Sequence, residues 1–70
     1  MKVKCKDLEV GMVVRFEYGD YDNWVTVKVM EINRLPEKSW DLIYVAPLRD
    51  LSLRWDVCIE HNDEVELLSV

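Results

Sequence analysis

His61 is the one histidine in the chain, and it is followed by Asn62, Asp63 and Glu64. A histidine that acts as a general base needs a nucleophile or a second carboxylate oriented beside it. The neighbours of His61 are instead typical of a turn and of a solvated strand. No Ser, Cys or Lys stands in a recognisable nucleophile motif. We therefore predict that the chain is not an enzyme and that His61 is structural.

The two cysteines, Cys5 and Cys58, are widely spaced in strand-like segments. With one histidine they cannot close a structural zinc site. Small secreted domains usually carry several disulfides, so we interpret both cysteines as small buried hydrophobic residues. A Cys5–Cys58 disulfide is the alternative. With only Gly11 and Gly19, the chain has no glycine-rich phosphate loop, and we expect no cofactor.

A calcium loop is the remaining metal motif to weigh. Asp20, Asp22 and Glu31 fall at the first, third and twelfth positions of an EF-hand loop. The fifth and sixth positions hold Trp24 and Val25, where an oxygen ligand and a glycine are required. A predicted strand also runs through half of the loop, so we expect no metal site.

Aromatic residues beside turn-forming segments are the candidate binding groups. Tyr21 and Trp24 lie in or next to a run of turn formers, and Trp40 follows a proline-containing loop. Tyrosine and tryptophan are enriched at the hot spots of protein interfaces. We therefore predict a partner-binding surface made of Tyr21, Trp24 and Trp40 and rimmed by Asp20 and Asp22.

A nucleic-acid surface is the alternative. Lys2, Lys4 and Lys6 alternate with Val3 and Cys5, so a strand there would present a basic stripe. The exposed aromatics could stack on bases. Edge lysines also protect a strand from pairing with other chains, and this interpretation is favoured. The net charge of −5 opposes non-specific binding to phosphates as well.

The acidic excess lies wholly in residues 39–70, because residues 1–38 contain equal numbers of acidic and basic side chains. Five carboxylates of this half could form a surface for a basic partner: Asp56, Glu60, Asp63, Glu64 and Glu66. Glu64 and Glu66 alternate with Val65 and Leu67, a pattern that favours a solvated outer face of a strand.

Alternating apolar and polar residues, rich in β-branched and aromatic types, predict an all-β fold. The predicted strands cover residues 12–18, 24–32, 40–46, 53–60 and 64–68, with a short edge strand at residues 3–5. The parity of apolar residues changes near Val29, which indicates a bulge. Pro47 ends the third long strand. Five or six short strands without a useful helix predict one small barrel or tight sandwich, covering residues 1–70.

The N-terminal lysines are not followed by an apolar segment, so the sequence predicts no signal peptide. The longest apolar run, residues 42–48, is too short to span a bilayer. We expect a cytoplasmic protein without a membrane partner. A short acidic chain beginning at Met1 is typical in style of a bacterium or bacteriophage.

Residues 7–14 and 59–68 resemble an SH3-like barrel. The first stretch is similar to the leucine, glycine-containing turn and apolar strand of that family. The second is similar to its end, where a strand meets a 3₁₀ turn with Asn and then a final strand. The resemblance implies a five- to six-stranded barrel with short loops. Peptide-binding members carry a proline and a tyrosine around the 3₁₀ turn, and both are absent here, so polyproline recognition is not expected.

These patterns together predict a non-enzymatic protein-interaction module, such as a small adaptor, accessory or inhibitor protein, with a protein partner. A nucleic-acid-binding barrel is one alternative. The other is a structural subunit of a larger assembly, in which the apolar segment 40–48 forms an interface.

Overall fold

The structure, a computed structural model, describes residues 1–17 and 23–70. Its elements are the strands β1 (Lys2–Lys4), β2 (Val13–Glu17), β3 (Trp24–Asn33), β4 (Trp40–Pro47), β5 (Trp55–Glu60) and β6 (Glu64–Ser69), with a 3₁₀ turn at Cys5–Asp7. The strands form one antiparallel sheet in the order β1-β6-β2-β3-β4-β5. Within the described ranges, no helix has the length and apolar character needed to cross a membrane.

The alternation of side chains along each strand explains why one face of the sheet is buried. On β3, Val27 and Val29 are fully buried, whereas Thr26, which precedes Val27, is exposed. On β5, Trp55, Val57 and Ile59 are partly buried and the residues between them are exposed. Because successive side chains of a strand point to opposite faces, the alternation predicted from the sequence is confirmed on these two strands.

A bulge interrupts the pairing of β3 with β4. Val29 pairs with Val45 and Glu31 pairs with Tyr44, so Met30 is an extra residue on β3. An extra residue bends the strand. Beyond it, the residues that face the core are even-numbered instead of odd-numbered. The bulge predicted near Val29 is therefore confirmed.

The core lies on the concave side of the bent sheet. Its buried members come from four strands and from the segment between β1 and β2: Cys5, Leu8, Met12, Val14, Val27, Val29, Ile43, Val45 and Val65. Side chains of β5 and Val3 pack against them from the two ends of the sheet order. Burial on this face therefore joins strands that are far apart in the sheet.

The two ends of the sheet order, β1 and β5, are not joined by a strand ladder in the described part of the chain. The 3₁₀ turn bridges them instead. The Cys5 N–H donates to the Asp63 carbonyl at 2.9 Å, and the Lys6 N–H donates to the His61 carbonyl at 3.2 Å. The sheet is thus open, and a closed strand ladder of the predicted barrel is not observed.

Three local predictions differ from the structure. Cys58 is exposed, because it occupies an outward position of β5 between Val57 and Ile59, and both cysteines are free thiols. The 3₁₀ turn lies at Cys5–Asp7, whereas the segment containing Asn62 is a hydrogen-bonded turn. The 3₁₀ turn at Cys5–Asp7 also ends β1 at Lys4, so Lys6 does not extend the predicted basic stripe of Lys2 and Lys4.

Candidate functional site

A buried carboxylate connects the loops at one end of the sheet. Asp41, on β4, is 2 % exposed and points to the core face. Its Oδ1 accepts hydrogen bonds from the Leu35 N–H at 2.9 Å and from Nε2 of His61 at 2.8 Å. Its Oδ2 accepts one from Arg34 at 2.7 Å. Burying a charge is costly unless it is paired and hydrogen-bonded, and three strong donors meet that requirement here.

Arg34 extends the same network to the segment that follows β1. Its guanidinium donates to the Cys5 carbonyl at 3.0 Å and to the Leu8 carbonyl at 2.6 Å, besides its bond to Asp41. The backbone N–H of His61 also donates to the Ser39 carbonyl at 2.8 Å. Arginine suits this position because its planar group offers five donors in a fixed geometry. The network therefore ties the 3₁₀ turn, the β3–β4 loop and the β5–β6 turn together.

The hydrogen bonds of the network favour the ionised form of Asp41. Burial alone would raise the pKa of Asp41, but the hydrogen bonds from Leu35, Arg34 and His61 outweigh burial and hold this pKa below its ordinary value. An ionised carboxylate only accepts hydrogen bonds, so Nε2 of His61 carries the proton that it shares with Asp41.

A carboxylate beside an imidazole is also part of nucleophilic triads, so the nearest thiol must be considered. Cys5 is fully buried, and its sulfur lies 3.9 Å from Oδ2 of Asp41 and 3.5 Å from the Ile59 carbonyl. Burial, followed by the negative charge of Asp41, raises the pKa of this thiol to about 11. The thiolate is the reactive form. The arrangement therefore stabilises the fold rather than activating a nucleophile.

An open cleft of about 400 Å³ lies over this network, lined by Lys6, Arg34, Pro36, Asp41 and His61. The oxygens of Asp41 are occupied by protein donors, and no cluster of three metal-ligating side chains is found among the described residues. The cleft therefore offers cationic side chains at its surface but no set of ligands for a metal ion.

A second groove lies on the outer face of the sheet. It is lined by Lys2, Arg15, Trp24 and Glu66 and has a volume of about 420 Å³. Lys2 pairs with Glu66, and Glu66 pairs with Arg15, so the three charged residues form one row across β1, β6 and β2. The Arg15 guanidinium lies 5.3 Å from the centre of the Trp24 ring, a distance at which a cation is attracted to an aromatic face.

The predicted partner-binding residues are divided by the structure. Trp24 is the first residue of β3 and is 51 % exposed. Trp40 is the first residue of β4 and is partly exposed. The antiparallel register pairs Val27 with Pro47 and Asn33 with Leu42, so the two tryptophans lie at opposite ends of the β3–β4 pair. Trp40 therefore does not contribute to the groove lined by Lys2, Arg15, Trp24 and Glu66, which is called the Trp24 groove below.

Tyr21, Asp20 and Asp22 lie outside the described residues, and their predicted roles remain predictions.

Sequence reasoning missed the Asp41 network and the stacking of Arg15. One signal could have revealed the first. Asp41 has the same parity as Ile43 and Val45 in a strand that is otherwise apolar, so an inward-facing carboxylate should have been paired with a cation. The sequence does not say which cation, because Arg34 and His61 reach Asp41 only through the β3–β4 loop and the β5–β6 turn.

Comparison of the chain with known protein families, with curated proteins and with solved structures found no match in any of the three.

Proposed function

We propose that this chain is a non-enzymatic protein-interaction module that binds its partner through the Trp24 groove. The observation that supports this is the 51 % exposure of Trp24 beside a stacked Arg15. A large aromatic ring that stays half in water loses much of the benefit of burial. Tryptophan and arginine are also the residue types most enriched at binding hot spots.

The charges around Trp24 favour a protein partner. Glu66 lies between Lys2 and Arg15 in the row of paired residues and is also 3.5 Å from the N-terminal amine, so the groove carries both signs of charge. A groove with alternating charges and an apolar centre suits a polypeptide that carries both signs of charge. Complementary charges at the rim then set specificity and the rate of association more than affinity.

The proposed architecture is an open variant of the SH3-like barrel. Support comes from β6, which returns to pair with β2, and from the 3₁₀ turn that bonds to the β5–β6 turn. Both features bring the end of the chain beside its beginning around one core. The fold does not by itself imply a function, so the proposed partner rests on the groove.

The test is affinity capture from a bacterial lysate, split into nuclease-treated and untreated halves. We expect a discrete protein partner that survives nuclease, and we expect Trp24→Ala to weaken its binding at least about tenfold, as hot-spot truncations do. Val10→Ala is the matched control, since Val10 is 63 % exposed and lies in the segment before β2. Circular dichroism should show both variants folded. Unchanged binding by Trp24→Ala would remove the groove from the proposal.

A nucleic-acid function is the second candidate, because the structure places Lys2 and Arg15 in the same groove as an exposed tryptophan. Glu66 in that groove opposes it. This candidate predicts partners that vanish with nuclease, and an affinity for single strands that falls steeply as salt is raised. Measuring binding of a labelled single-stranded oligonucleotide at two salt concentrations separates the two functions.

A further inference from the structure

The outer face of β3, β4 and β5 carries an apolar stripe that the Trp24 groove does not include. Trp40, Leu42 and Tyr44 point outward on β4 and are each partly exposed. Their inward neighbours Asp41 and Ile43 are buried. Most outward positions of a half-solvated sheet are polar, so three successive apolar ones on one strand are unusual for a surface that faces only water.

Carboxylates border the stripe on both sides. On β3, Glu31 pairs with Tyr44; on β5, Asp56 pairs with Tyr44 and Glu60 pairs with Trp40. All three carboxylates are exposed, and none takes part in an ion pair within the described residues. Two of these carboxylates, Asp56 and Glu60, belong to the acidic excess of residues 39–70.

The size of this face fits an α-helix. Three adjacent strands are about 10 Å wide from first to third, and a helix with its side chains is roughly 10 Å across. The stripe from Trp40 to Tyr44 covers four residue steps, or about 13 Å, which matches between two and three helical turns. A helix lying along β4 would therefore place its apolar side on the stripe and its flanks beside the carboxylates.

We propose that this face docks a basic amphipathic helix of a partner protein. The apolar side of the helix, with residues at positions i, i+3, i+4 and i+7, covers Trp40, Leu42 and Tyr44. Lysines or arginines on its flanks pair with Glu31 on one side and with Asp56 and Glu60 on the other. This surface is separate from the Trp24 groove, so the two proposals can fail independently.

The experiment uses the full chain and a synthetic helical peptide of about four turns, with leucines at that spacing and lysines on both flanks. A second peptide carries glutamates in place of the lysines. Binding is measured by calorimetry. We expect the lysine peptide to bind, with an affinity that falls as salt is raised, and the glutamate peptide not to bind.

Three variants locate the binding. Asp56→Lys with Glu60→Lys should weaken the lysine peptide at least about tenfold and strengthen the glutamate peptide, as expected for rim charges. Glu9→Lys with Glu37→Lys makes the same change in net charge at exposed loop positions outside the three strands and should have a smaller effect. Leu42→Ser should also weaken binding, with its fold checked by circular dichroism.

Equal binding of both peptides, binding of neither, or equal effects of the two charge-reversed variants would overturn the proposal. Sedimentation of the chain alone tests whether a second copy of the chain occupies the stripe instead. A dimer that Leu42→Ser dissociates would assign the stripe to a second copy of the chain and would also overturn it.

Discussion

At the scale of single residues, the buried carboxylate of Asp41 connects the loops at one end of the sheet. It accepts from a loop amide, a guanidinium and an imidazole, and these donors come from the β3–β4 loop and the β5–β6 turn. A buried ion pair is not by itself a large source of stability, because desolvation offsets the attraction. Its value here is that it specifies how the loops meet over the 3₁₀ turn.

Asp41→Asn tests this role. Replacing the carboxylate leaves Arg34 without its charged partner, and we expect the free energy of unfolding to fall by about 2–3 kcal/mol. The lower end reflects the partial exposure of Arg34, whose side chain is 41 % accessible. Urea titration at neutral pH measures the change. Asp50→Asn is the control, because Asp50 is exposed and, among the described residues, its carboxylate accepts hydrogen bonds only from Ser52. A similar loss there would contradict the assignment.

The same carboxylate predicts a pH dependence. The folded-state pKa of Asp41 lies below its ordinary value of 3.8, so the unfolded chain takes up the proton first as the pH falls. The stabilisation is fully present above pH 3.8 and is lost as the pH falls further, through the folded-state pKa. Urea titrations across that range should show wild type losing stability faster than Asp41→Asn. Parallel losses in the two proteins would be the contrary result.

At the scale of elements, the entry into β2 depends on a glycine. Gly11 has a φ of +99°, a region that residues with a Cβ rarely adopt. Its N–H donates to the Val29 carbonyl at 2.8 Å, and the Val29 N–H donates to the Met12 carbonyl at 2.8 Å. These bonds continue the pairing of β2 with β3 up to the bulge. The turn therefore brings Leu8 and Met12 into the core.

Gly11→Ala separates backbone strain from crowding. A Cβ at this position would meet no atom within 4 Å, so the cost comes from the backbone conformation alone. We expect a loss of about 1–2 kcal/mol in the free energy of unfolding, measured by denaturant titration. Val10→Ala next to it should change stability little, since Val10 is exposed. A neutral or stabilising Gly11→Ala would show that the turn relaxes to a negative φ.

At the scale of the whole molecule, one small core supports a sheet whose outer face has two separate candidate binding regions. The Trp24 groove lies across β1, β6, β2 and β3 and carries charges of both signs, whereas the stripe on β4 is bordered by carboxylates. A chain of this length buries a smaller share of its surface than larger domains do. Each buried side chain therefore contributes a large fraction of the total stability.

Ile43 tests that dependence. It is fully buried at the middle of β4, and Ile→Ala at such sites costs about 2–5 kcal/mol. Because domains of this size are stabilised by only ~3–5 kcal/mol, we expect Ile43→Ala to be largely unfolded and Ile43→Val to stay folded with a loss of about 1 kcal/mol. Thermal and urea unfolding followed by circular dichroism measures both. Leu53→Ala, at a loop position 48 % exposed, should change stability little; a folded Ile43→Ala would show that the core tolerates the cavity.

The sequence by itself determined the strands, their inward faces, the bulge near Val29 and the turns between them. These features follow from local alternation, turn chemistry and proline, each of which is readable within a few residues. It also indicated an exposed tryptophan, and Trp24 is half exposed.

Only the tertiary structure decided which residues meet across the chain. Loops bring Arg34 and His61 into contact with Asp41. Strand register places Arg15 and Lys2 beside Trp24. The same register places Trp40 at the other end of β3. Contacts between distant loops depend on how the whole chain closes, so no local pattern in the sequence encodes them.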